Sequence, residues 1–355
     1  MRGGEKVVEA LCELFPDADL YTHVYDPDAV SETIRRHRVR TTFIQRLPRA
    51  RRWYQRYLPL MPMALEGLDL RGYDLVISSE SGPAKGVIPP PGAAHVCYCH
   101  TPMRYLWDMY PEYREQAGPI TRALMRPLTH YLRIWDVTSA ARVDHWIANS
   151  RHVAARIRKY YRRDAEVIPP PVDTSAFEPA EGGDDYYLFV GQLVRYKRAD
   201  LAVEAFNRLD RRLVVIGTGE EMRDLKRKAG PGVHLLGWQD DAALRGYYAR
   251  CRALIFPGIE DFGIVPVEAM ASGRPVIAYR EGGALDIVRE GETGLFFDEL
   301  TPEAVTDAVE RFERMEGRFD PAALVRHARQ YDRARFKERV ERAIEQALEA
   351  ARGPA

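Results

Sequence analysis

Two glutamates, Glu260 and Glu268, stand with seven residues between them in the stretch GIEDFGIVPVEAMASGRPVIAYREGG, residues 258–283. A carboxylate accepts two hydrogen bonds, so it binds vicinal hydroxyls well. Pro266 suits a first helical turn, where its missing N–H would have gone unpaired. The free N–H groups of Phe262, Gly263 and Ile264 can then face a phosphate or a sugar hydroxyl. Carboxylates and a helix N-terminus together suit a ligand that carries hydroxyls and phosphates at once. The plainer reading makes Glu260 a loop residue at the surface and Glu268 a solvated helix residue. The apolar neighbours of Glu268, in IVPVEAMA, argue against the second half of it.

A second cluster begins at Gly191, in GQLVRYKRADLAVEAF. Gly191 lets the backbone turn closely, and Arg195 and Lys197 place positive charge at a helix entrance. That charge suits a diphosphate, or it is a basic surface turn. The Gly217-Thr-Gly turn is a weak dinucleotide fingerprint, because Met222 stands in place of its third glycine. His100 follows a buried strand in CYCHTPMRYLWD, with Arg104 and Trp107 nearby. A substrate hydroxyl or carbonyl and a purely structural role are both open to it.

These residues need strand ends and loops to hold them. Strands are expected at 18–25, 74–80, 94–99, 144–150 and 165–170, alternating with helices, with Ser150 capping the helix of 151–161. The Pro-, Gly- and acid-rich stretch 173–185 reads as a linker. A second series follows, with strands at 186–191, 212–217, 233–237, 252–257, 274–279 and 294–297. The fold class is therefore α/β, two doubly wound domains facing across a cleft, at 1–172 and 186–335. A last helix, 336–355, is expected to return to the first domain. The 355 residues fit two domains, and the zero formal net charge gives a nucleic-acid role no support. The four cysteines are too few and scattered for a disulfide framework. Cys97 and Cys99 read as pointing to opposite faces of one strand, as buried free thiols. No Asp-x-Asp stands at a strand end, and no metal site is expected.

Taken together the stretches resemble the retaining glycosyltransferases of family 4, with two Rossmann-like domains in the GT-B arrangement. Glu260-x7-Glu268 with Phe262-Gly263 between, the Gly191–Lys197 turn, VIGTG and Gly282-Gly283 match in order and spacing. Gly3-Gly4, CHTP (99–102), ANS (148–150) and VIPPPVD (167–173) are also similar, so the resemblance covers nearly the whole chain. YCHTPMRYLW is most like mannosyltransferase-type members that build bacterial surface polysaccharides.

The resemblance implies an acceptor-binding first domain and a nucleotide-sugar-binding second one. Glu268 would hold the donor ribose, and Glu260 would contact the sugar beside the N–H groups of Phe262 and Gly263. Ile264 and the Gly217 turn would belong to the donor site. Lys197 and Arg195 would neutralise the diphosphate, and His100 would touch the sugar near its reacting face. Gly3, Gly4 and Arg104 would form a donor or acceptor loop. The expected reaction is retaining, metal-independent hexosyl transfer, first choice GDP-mannose, to a lipid-linked or saccharide acceptor, with no cofactor beyond the donor. Gln192 departs from the pattern, which has Arg after the glycine. It keeps open a weakly active sugar-nucleotide-binding or scaffold subunit. A nicotinamide oxidoreductase is disfavoured by the missing third glycine.

Two further expectations concern the first domain. Its Gly3-Gly4 turn normally hangs from a strand, so the helix face of Val7, Val8, Leu11 and Leu14 is expected to lack part of its buried partner and the natural chain to start upstream. Residues 35–58 hold nine arginines with Phe43, Trp53, Tyr54, Tyr57 and Leu58 among them, and Glu32 is the one acid within 31–60. This is either a solvated basic face or a surface for anionic lipid. The expected place is the cytoplasm, with peripheral attachment to the inner face of the membrane.

Overall fold

The structure, a computed structural model, describes residues 3–352. The chain divides into two compact units, one of residues 1–171 with 336–355 and one of residues 172–335.

In the first unit β1 (Leu20–Thr22) and β2 (Val39–Thr41) form a small parallel pair of their own. The expected strand over 18–25 is thus short, and it stands outside the main sheet. The main sheet is β3 (Leu75–Glu80), β4 (Ala94–Cys99), β5 (His145–Ala148) and β6 (Glu166–Val167), parallel and in that order. Strand β4 is buried along its whole length, because both faces of the sheet are covered. On one side Val96 and Tyr98 join Val7 and Ala10 of the helix Gly3–Leu14. On the other Cys97 and Cys99 pack with Trp146 and Ile157. The two thiols therefore share a face, since side chains alternate with a period of two. The opposite-face expectation is corrected, and all four cysteines are buried and free.

Gly3 and Gly4 are the first residues of that helix rather than a turn, which corrects the expected loop. Val7 and Ala10 of this helix are buried, while Val8, Leu11 and Leu14 are half-buried. The helix Arg333–Arg352 buries Phe336, Val340, Ala343, Ile344 and Ala347 in the same cluster as Val7. Lys337 pairs with Glu13, and the Phe336 ring stands edge-on to Tyr98 at 5.6 Å. The period of apolar positions along 336–347 is what lets one face of an Arg- and Glu-rich helix be buried.

Residues 43–66 form short helical pieces around Ile44, Met61 and Ala64. The arginines here are partly answered from outside 31–60. Arg40 pairs with Asp19 at 3.2 Å and Arg51 with Asp26 at 3.3 Å, besides Arg36 with Glu32 at 2.6 Å. The guanidinium groups of Arg49 and Arg56 lie 4.7 and 4.9 Å from the ring of Trp53.

The second unit holds β7 (Tyr187–Val190), β8 (Leu213–Ile216), β9 (Val233–Gly237), β10 (Leu254–Phe256), β11 (Val276–Tyr279) and β12 (Gly294–Phe297). They form one parallel sheet in the order β12-β11-β10-β7-β8-β9. All six stand where the alternating pattern puts them. Among the described residues no helix is long and apolar enough to cross a membrane.

Candidate functional site

The strand order of the second sheet reverses between β7 and β10. From β7 the chain moves to β8 and β9 on one side, and from β10 to β11 and β12 on the other. The loops leaving these two strands diverge, and ligands of such sheets bind in the crevice they leave. Lys197 comes from the loop after β7 and Glu260 from the loop after β10, and the two form an ion pair. Their side chains are 19% and 14% exposed, so the charges are close to water but shielded from its full screening.

Glycines let four loops stack backbone on backbone around this pair. A Cβ on Gly217, after β8, would lie 1.8 Å from the carbonyl oxygen of Gly191, after β7. A Cβ on Gly283, after β11, would lie 2.2 Å from the carbonyl oxygen of Phe262. The N–H of Gly283 donates to the Glu260 carbonyl at 2.9 Å, which fixes the loop that carries the carboxylate. Gly191 itself passes beside Lys197, whose Cδ would be 3.5 Å from an added Cβ.

The helix Ile264–Ala271 begins directly after Gly263, whose φ of 91° places it in the region that favours glycine. The Phe262 ring is buried against Tyr331, so what this residue can offer a ligand is backbone. Glu268 is buried, and its Oε2 accepts the Tyr248 hydroxyl at 2.8 Å. Burial, then the nearby Glu268 charge, pushes the Tyr248 hydroxyl well up, so it stays a donor. The solvated reading of Glu268 is thereby set aside. Arg195 is exposed in the same loop as Lys197, as is Gln192. Arg195 has Glu221 among its electrostatic neighbours. Burial, then Asp200 and Glu220, raises that carboxyl against the pull of Arg195 and Arg198.

In the first unit His100 follows β4. Its Nε2 and the Ser79 Oγ are 2.9 Å apart, its ring meets Tyr98 edge-on, and its carbonyl accepts Asn149 Nδ2 at 2.9 Å. Gly4 stands against it, since an added Cβ would be 3.7 Å from Nε2. Arg104 is half-buried on the loop that follows. Trp107 is packed rather than presented to a ligand. It stacks on Tyr160 at 4.8 Å, and its Nε1 donates to Asp136 at 2.8 Å.

Asp136 belongs to a buried ionic cluster that local reading does not reveal. Lys85, fully buried, pairs with Asp136 and lies 3.4 Å from Glu80. Burial, opposed by Lys85, raises the Glu80 carboxyl to about 7. The cluster ties the end of β3 to the loop that bears His100, for His100 N donates to the Glu80 carbonyl at 2.7 Å. Lys85 and Asp136 lie 51 residues apart, so no motif carries the cluster. Trp238, 73% exposed just past β9, is a second residue that motif reading passes over. A bulky aromatic directly after a strand-ending glycine was the signal for it. Among the described residues no group of three or more His, Cys, Asp or Glu is placed to hold a metal ion.

The sheet order and the loop cluster agree with what comparison finds. The family described as "Glycosyltransferase Family 4" matches residues 1–176, and "Glycosyl transferases group 1" matches residues 173–335. The chain belongs to glycosyltransferase family 4. Among curated family members, a D-inositol 3-phosphate glycosyltransferase of Nocardiopsis dassonvillei is 32% identical over 43% of this chain and 43% of its own. A GDP-mannose-dependent alpha-(1-6)-phosphatidylinositol monomannoside mannosyltransferase of Mycolicibacterium smegmatis is 30% identical over 45% of this chain and 50% of its own. These matches span half or less of each relative. Among solved structures, sucrose-phosphate synthase from Thermosynechococcus elongatus superposes with a TM-score of 0.72 at 19% identity, covering 97% of this chain and 92% of that one. HepE of Anabaena in complex with UDP-glucose gives 0.69 at 16% identity, over 97% and 96%. The fold of this family 4 chain is accordingly the two-domain GT-B fold.

Proposed function

We propose that the second unit binds the diphosphate of a nucleotide sugar at the β7–β10 crevice and that the protein transfers a hexose from it. The observation that carries this reading is the Lys197–Glu260 pair at the switch point, beside the start of the helix Ile264–Ala271. A cation and free N–H groups suit the phosphates. Carboxylates suit the hydroxyls, with Glu268 taking the ribose and Glu260 the sugar. Gly191, Gly217, Phe262, Gly263 and Ile264 would line the donor, and Arg195 would supply further positive charge. In the first unit His100, held by Ser79 and Asn149, is the candidate sugar contact, with Gly4, Gly3 and Arg104 near it in the fold or chain.

In the proposed step the bond from the anomeric carbon to the diphosphate breaks and a bond from an acceptor oxygen forms on the same face. The leaving phosphate oxygen takes the acceptor proton. Lys197 stabilises the charge that grows on the leaving group, and no metal or other cofactor takes part. GDP-mannose is the first-choice donor, a reading supported by the GDP-mannose-dependent Mycolicibacterium relative. The acceptor is a lipid-linked or saccharide hydroxyl in surface polysaccharide synthesis, at the cytoplasmic face of the membrane.

Calorimetric titration with GDP, UDP and ADP tests the donor site, with GDP expected to bind tightest. Incubation with GDP-mannose should then release GDP slowly without acceptor. NMR of the product's anomeric proton reads retention. Absence of binding to all three nucleotides overturns the site. Binding without any donor turnover, with every candidate acceptor tried, favours the scaffold reading that Gln192 leaves open.

A further inference from the structure

In the first unit the helix Pro119–Ala140 carries a row of apolar side chains on its water-facing side. Ile120, Leu124, Tyr131 and Ile134 are 77%, 62%, 50% and 57% exposed. At about 100° per residue, positions 120, 124, 127, 131 and 134 fall on one stripe, with Pro127 as its middle member. The inner face is occupied separately by Leu132, Trp135 and Asp136. Single exposed apolar residues are ordinary, but a continuous row over four helical turns marks a surface that something covers.

The charges beside the row point to the occupant. The exposed ionisable residues of the helix are Arg122, Arg126 and His130. Its one carboxylate, Asp136, is buried against Lys85. Arg122 is held by the carbonyls of Arg114, Glu115 and Ala117, so Arg126 and His130 are the cations that flank the row, and the exposed acids nearby, Glu112 and Glu115, stand on the preceding helix. A hydrocarbon row flanked by cations, with no exposed carboxylate on its own helix, matches a bilayer interface that bears negative headgroups. A second copy matches poorly. Pairing two such rows sets arginines of both copies along one seam with no carboxylate on the helix to answer them.

We propose that the helix Pro119–Ala140 lies in the headgroup layer of an anionic membrane, with the stripe inserted and Arg126 at the lipid phosphates. This surface is distinct from the arginine segment 35–58, where three arginines already pair with acids and Trp53 lies between two more.

The test is vesicle sedimentation of the full chain with phosphatidylcholine alone and with added phosphatidylglycerol, at low and high salt. Wild type should prefer the anionic vesicles. The triple variant Ile120→Ser, Leu124→Ser, Ile134→Ser should bind them about tenfold more weakly or worse, with an unchanged circular dichroism spectrum and nucleotide affinity. Arg126→Gln should lose anionic preference and keep any weak binding to neutral vesicles. Three results overturn the proposal. One is a triple variant that binds as wild type does. Another is a wild type that ignores both vesicles. The third is a concentration-dependent dimer that the triple variant abolishes while vesicle binding stays unchanged.

Discussion

The ammonium of Lys197 and the carboxylate of Glu260 pair with each other from loops on opposite sides of the point where the second sheet reverses its strand order. Each group neutralises the other, so a diphosphate that reaches Lys197 must compete with Glu260. The pair therefore predicts opposite responses to two substitutions.

Lys197→Ala should cut glycosyl transfer about a hundredfold to a thousandfold, the usual effect of removing one charge that stabilises a leaving group. Binding of the nucleoside should change little. Glu260→Gln removes the competing carboxylate and should tighten binding of the free nucleoside diphosphate, by roughly fivefold for about 1 kcal/mol. The same change should slow transfer, because the sugar loses a contact. Titration calorimetry and steady-state rates read both. Equal loss of diphosphate binding in the two variants would remove the antagonism.

Gly217→Ala tests the loop stacking. The new methyl would meet the Gly191 carbonyl oxygen at 1.8 Å, so the loops after β7 and β8 must separate. The cost should be about 1–3 kcal/mol in urea unfolding, together with weakened nucleotide binding. An unchanged midpoint and affinity would show that these loops yield freely.

Six strands in the second unit were legible because each is a short apolar run, four of them closed by glycine or proline. The Glu260, Glu268 and Lys197 positions stand out there as charges in apolar or turn surroundings. The first unit was less legible. Val39–Thr41 offers three residues with an arginine in the middle, too little for a periodic signal. Val7 finds its cover in Phe336 and Val340, more than 300 residues away, a distance no local pattern spans. The pairing of Lys85 with Asp136 has the same cause.

Lys85→Met should show what that cluster is worth. It leaves Asp136 and Glu80 buried without their cation, and breaking such a pair costs about 3–5 kcal/mol. The thermal midpoint of the first unit should fall, while the second unit keeps its own. A small effect would mean that one carboxyl simply takes up a proton.

His95 sets an acid limit. It is fully buried, with Nδ1 3.1 Å from the Arg142 carbonyl and Nε2 3.0 Å from the Ser78 hydroxyl. Burial holds its pKa down to about 4 against the ordinary 6.5, with Asp144, Arg142 and Lys85 as the charged neighbours. The unfolded chain takes up the proton first on acidification. Stability present above pH 6.5 is therefore lost as pH falls towards 4, by about 3 kcal/mol at most. His95→Gln should lessen the loss of urea stability across that window, the remainder falling to His23, which burial also holds down to about 4. A parallel decline in both proteins would assign the acid limit to other groups.

The helix Arg333–Arg352 gives the polypeptide an order of assembly. Residues 172–335 are continuous and carry all six of their strands, so they can close on themselves while still leaving the ribosome. The first unit, although synthesised earlier, keeps Val7 and Tyr98 uncovered until Phe336 to Ala347 emerge. At about 5–20 residues per second, that wait lasts for the whole translation of the second unit. The early-made half is thus the late-folding one, and the half that chaperones would have to shield.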